Sequence, residues 1–93
     1  MTFRRRRGIK MGYKEQGMIC FTCMNYHIQP IYMRRKIDRL CQEVGKEDVE
    51  ALFTMVTTDT AITKLARIYY ISERKLYDIR KQFYEKWFDT RPY

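Results

Sequence analysis

A chain of 93 residues has room for one small domain, whose modest core must use every strongly apolar helix face. Hydrophobic residues at 45% and aromatics at 15% are too many for a disordered chain, and no run of about 18 apolar residues is present to span a membrane. A net charge of +8 points to a polyanionic partner such as nucleic acid, and three Cys, an odd count, speak against a disulfide framework and for a reducing cytoplasm.

Only 4 Gly and 2 Pro leave few places for tight turns, which favours long helices over many short strands. The expected fold is an all-α, small four-helix domain preceded by a flexible basic N-terminal arm. Residues 1–17 form that arm: they carry Arg4, Arg5, Arg6, Arg7, Lys10 and Lys14, hold three of the four Gly and lack periodicity. The Arg run is not followed by the apolar stretch of a secretory signal. It also resembles a translated ribosome-binding site ahead of Met11; a start at Met11 would remove five positive charges. Residues 18–93 form the helical domain. Its first part, residues 18–28 with Cys20 and Cys23, reads as a short strand or an irregular packed segment.

Pro30 fits the first turn of a helix, where its missing N–H costs nothing. Met33, Ile37, Leu40, Cys41 and Val44 then recur on one helical face, Arg34, Arg35, Lys36 and Arg39 lie opposite, and Gly45 is placed to cap the C-terminus. A second helix is expected over 47–57 with Val49, Leu52, Phe53 and Val56 inward. Asp48 and Glu50 in its first turn complement the helix dipole. Thr58, Asp59 and Thr60 read as the cap of a third helix burying Ile62, Leu65, Ala66 and Tyr69. Ser72 caps a fourth, reaching about Phe88, with Leu76, Ile79, Phe83 and Trp87 inward.

The informative stretch is 60–83. It has a small residue, Ala66, where two helices would cross, and apolar Leu65, Tyr69, Ile71, Leu76 and Ile79 around that crossing. Ser72 stands at the start of the second helix. By residue type and spacing it resembles the helix-turn-helix superfamily. One position departs from the pattern: the turn residue four after Ala66, usually Gly because φ there is often positive, is Tyr70. Residues 71–87, with Leu76-Tyr77 followed by Arg80-Lys81, look like the DNA-binding segment of small insertion-sequence transposase subunits and phage regulators.

That resemblance implies sequence-specific binding of double-stranded DNA, with the second helix of the motif in the major groove. Arg74 and Lys75 would meet guanine or phosphate, Tyr77 phosphate or a thymine methyl, and Lys81 the backbone. Lys64 and Arg67 on the preceding helix would clamp phosphate. The implied role is a transcriptional regulator of a phage or mobile element. Two other readings stand beside it: a protein-interaction module, zinc-stabilised in one version, and the DNA-binding subunit of a transposition system. The same exposed face also fits a solvated helix laced by the i,i+4 pairs Arg74–Asp78 and Lys81–Glu85.

Three weaker signals complete the reading. Cys20, Cys23, His27 and Cys41 have the chemistry of a Cys₃His zinc site, but free Cys are among the most buried residue types and the plain core reading is preferred. Arg4–Arg7 suits a minor groove or phosphates, or is a solvated tail. The excess of aromatics on the Tyr84 and Phe88 side suggests a homodimer contact. With one His and no Gly-rich phosphate loop or nucleophile–base spacing, nothing points to an enzyme or to a small-molecule substrate.

Overall fold

A computed structural model describes Gly8, Ile9 and residues 11–88. Among the described residues the fold is all-α, with five α-helices: α1 (Tyr13–Met24), α2 (Ile31–Gly45), α3 (Val49–Thr57), α4 (Ile62–Tyr69) and α5 (Glu73–Lys86). Single 3₁₀ turns, Tyr26–Ile28 and Lys46–Asp48, precede α2 and α3. No helix among the described residues is long and apolar enough to cross a membrane.

The organising element is α3, which packs against each of the other four helices. Its nine residues suit that place, because Ala51, Leu52, Met55 and Val56 are buried while Val49 and Phe53 are half-buried. A helix apolar nearly all round must be enclosed by others. Around it, α2 contributes Ile37, Leu40, Cys41 and Val44, α5 contributes Leu76, Ile79, Phe83 and Tyr84, and α4 contributes Leu65. Trp87, just past α5, closes the core against the Phe83 ring at 5.9 Å, and Lys36 Nζ sits 4.3 Å from its centroid. The Tyr26 hydroxyl donates to Asp38 at 2.9 Å while its ring meets Phe53 edge-on at 5.0 Å, tying the first 3₁₀ turn to α2 and α3.

The four helices expected from periodicity have counterparts in α2 to α5, with several local differences. Residues 18–28 are neither strand nor irregular: they lie in α1 and the turn after it. The helix begins at Tyr13, inside the segment read as an arm, and buries Gln16 and Gly17. Its buried face combines Gln16, Gly17, Ile19, Cys20 and Cys23, whereas Met18 and Phe21 are exposed. A polar residue inside and apolar ones outside erase the contrast on which periodicity depends. Pro30 is the residue before α2 rather than its first, with its carbonyl accepting from Met33 N and Arg34 N.

Gly45 does not cap α2 by a left-handed turn. It ends the helix with φ −76°, and Lys46 takes the positive φ of 53°. What Gly45 allows is approach, since a Cβ there would already touch Leu52 at 3.4 Å. Thr58 and Thr60 do not cap α4. Thr58 Oγ1 donates back to the Thr54 carbonyl at 2.6 Å and pairs with Thr60 Oγ1, finishing α3, and α4 starts after Ala61 without a side-chain cap. The last helix stops at Lys86, and Tyr84 is buried within the fold, so only Phe88 of the suggested dimer pair is exposed.

Candidate nucleic-acid interface

Three residues, Tyr70, Ile71 and Ser72, join α4 to α5. Tyr70 is left-handed (φ 55°, ψ 44°), which lets Ile71 N reach back to the Ala66 carbonyl at 3.2 Å and turns the chain sharply. Ser72 is extended, and its Oγ accepts from Lys75 N at 3.1 Å, satisfying one of the open donors at the start of α5. Tyr70 therefore does the work usually given to Gly. A left-handed residue with a Cβ costs roughly 1–2 kcal/mol, and the Tyr70 side chain, 94% exposed, has little packing to lose. Tyr70→Gly is accordingly expected to raise stability by about 0.5–1 kcal/mol, seen as a higher urea midpoint. A lower midpoint would show that the turn is not strained by its side chain.

The outward face of α5 borders a cleft of about 670 Å³. Five of the seven residues expected from sequence line it: Ser72, Arg74, Lys75, Tyr77 and Lys81. Lys64 and Arg67 are exposed on α4 but do not line this cleft. Arg80, Asp78, Gly8 and Ile9 complete the lining. Four cationic side chains thus face one carboxylate, and Asp78 accepts a hydrogen bond from Gln82 Nε2 at 2.9 Å. The Arg80 guanidinium lies 5.2 Å from the Tyr77 ring, one helical step along α5. Tyr77 and Arg80 also border a second cleft of about 340 Å³ against residues 58–62, so they stand on the ridge between two grooves.

Lys75 is engaged within the protein. Its Nζ lies 2.8 Å from Asp48 Oδ2 and donates to Glu47 Oε1 at 3.2 Å, bridging α5 to the turn between α2 and α3. The two carboxylates, Asp48 first, hold the ammonium proton more tightly and push its pKa up.

Residues missed at the sequence level are Arg80, Gly8 and Ile9. Arg80 carried a signal, since a cation three residues after an aromatic on a helix shares its face. Ile9 carried almost none, being one apolar residue in a basic stretch.

The cysteine and histidine residues do not form the zinc set considered from sequence. Among the described residues no three His, Cys, Asp or Glu side chains gather where they could hold a metal. Cys20, Cys23 and Cys41 are free and buried, and His27 is exposed on its 3₁₀ turn. Burial pushes the Cys41 thiol up to about 12, with Asp38 adding to the effect. Burial, then Cys41 and Cys20, also pushes the Cys23 thiol up, against a smaller opposing pull from Lys36. No protein-family model, no curated protein and no solved structure matches the chain.

Proposed function

We propose that the protein binds double-stranded DNA in a sequence-specific way, with α4 and α5 as a helix-turn-helix and α5 as the helix entering the major groove. The observation that carries this reading is the junction itself: a three-residue turn opened by the left-handed Tyr70, a Ser-capped helix, and a cationic cleft along that helix's outward face. A major groove about 12 Å wide admits an α-helix and is read by its N-terminal side chains. Arg74 and Tyr77 are exposed in the first two turns of α5, where base edges would be met, and Lys81 follows one turn later, suited to phosphate. Lys64 and Arg67 on α4 supply further cations for the strand that α4 would cross. A regulator of a phage or mobile element is the role that fits such a small reader best.

The deciding experiment selects bound sequences from a random duplex pool over a salt series, with the full chain beside Arg74→Ala/Tyr77→Ala/Lys81→Ala. The expected result is enrichment of one sequence, weakening with salt, and an affinity loss of about 100-fold or more in the triple variant. The three side chains lie outside the buried core, so the variant should fold. Binding that is absent, or equal for all sequences and indifferent to the triple change, would remove α5 as a DNA reader. The exposed face would then be read as a surface for a protein partner.

A further inference from the structure

Asp78 is the carboxylate in the cleft along α5, set among Arg74, Lys75, Arg80 and Lys81. It lies in the second turn of the helix, past the first turn in which an acid complements the dipole of a helix start. Arg74 stands one turn before it and Lys81 three residues after it, both spacings at which helical side chains meet. Among the described residues neither cation forms an ion pair with it. Its Oδ2 accepts instead from the neutral Gln82 amide at 2.9 Å, one turn further on. Asp78 is exposed, and Oδ1 has no hydrogen-bond partner among the described residues. The Arg74–Asp78 pair that a solvated, self-satisfied helix face calls for is thus absent.

A carboxylate accepts hydrogen bonds and donates none, and a phosphate repels it. On a face that meets DNA, Asp78 therefore has to meet a donor. In the major groove two groups of the bases donate, the N4 amino group of cytosine and the N6 amino group of adenine. Guanine shows O6 and N7 there and thymine shows O4, all acceptors that a carboxylate opposes. Adenine also sets its N7 acceptor beside N6, whereas cytosine has no acceptor on that edge, so cytosine suits a lone carboxylate better. The guanine paired with that cytosine offers O6 and N7. Arg74, on the same face one turn away, has the forked N–H donors that match them.

We infer that Asp78 selects a base: aimed by Gln82, it accepts from the N4 amino group of a cytosine and sets a C·G pair at one position of the bound site, with Arg74 on the guanine. This rests on the reading of α5 as the helix in the major groove. Sequence preference then belongs to Asp78, and affinity to the cations around it.

The test takes the unaltered full chain, Asp78→Asn and Asp78→Ala through selection from a random duplex pool. Affinity is then measured for the selected duplex with each base pair in turn at each position. Asp78 is exposed on α5, so both variants should fold, which circular dichroism checks. The unaltered chain is expected to require C·G at one position, losing about fivefold or more with any other pair there. Both variants should lose that requirement. Asp78→Ala should leave no preference at the position, and Asp78→Asn, whose amide matches adenine N6 and N7, should turn it to A·T. A carboxylate that only tempers the charge of the cleft gives a different result: both variants tighten on every sequence and keep the same bases throughout. That outcome overturns the inference while the α5 reading stands. A position that depends on Asp78 but is not cytosine in the unaltered site overturns it as well. If the unaltered chain selects no sequence, the α5 reading fails first and takes this inference with it.

Discussion

Phe83→Ala is expected to lower the stability of the protein by about 3–5 kcal/mol, the cost of deleting a buried aromatic and leaving a cavity. Phe83 is fully buried, stacks near Trp87 and Tyr84, and sits on the helix that meets α2, α3 and α4. A domain of this size is ordinarily stable by roughly 5–14 kcal/mol, so the loss would take a large share of what holds it folded. Urea unfolding followed by circular dichroism gives the measurement. Phe88 provides the internal control, because it lies five residues further on and is 43% exposed. Phe88→Ala should cost well under about 1.5 kcal/mol. Equal effects at the two positions would mean that α5 does not dock by the face described.

The second large effect concerns the thiols. Cys23 and Cys41 are expected to react with a disulfide reagent at pH 8 roughly a thousand times more slowly in the native protein than in denaturant. The thiolate is the reactive form, and an unperturbed Cys titrates near 8.5. Burial raises both thiols, Cys41 to about 12, so almost none of either is ionised at pH 8. The same shift has a consequence for stability. A raised folded pKa means that the unfolded chain releases these protons first as pH rises. The contribution is therefore complete below about pH 8.5 and declines between there and about 12 for Cys41. Unfolding midpoints should fall across that window, and Cys23→Ala/Cys41→Ala should flatten the decline. Native labelling within a few-fold of the denatured rate would show that the two thiols are not enclosed.

Much of this architecture was legible because α2 and α5 have strong contrast between faces. Ile37, Leu40, Cys41 and Val44 on one helix, and Leu76, Ile79, Phe83 and Trp87 at the end of the chain, are buried where their spacing puts them. The Ser72 cap was legible for a local reason: an extended Ser hydroxyl can reach a backbone N–H three residues on without any tertiary help. α1 was not legible, because Gln16 is inside and Met18 and Phe21 are outside. Gly45 looked like a helix stop, yet its lack of a side chain serves the approach of Leu52, and Lys46 takes the turn. Four candidate residues on α5, with Ser72 at its cap, came together because a regular helix presents them together. Ile9 joined them through a long-range contact that no local pattern encodes.

The bridge from Lys75 to Glu47 and Asp48 has a further consequence. Two carboxylates already stand where Lys75 would hold the oxygens of an incoming anion. Taking up an anion at Lys75 is thus an exchange rather than an addition, and its yield is the difference between the newcomer's attraction and that of the resident pair. Salt screens both alike. Diffuse attraction to any polyelectrolyte gains little from this ammonium, whereas a phosphate delivered at hydrogen-bond distance can displace the carboxylates. If α5 meets phosphate as proposed, an acidic turn far from it in sequence would act as a filter, setting how closely a ligand must fit before this lysine contributes.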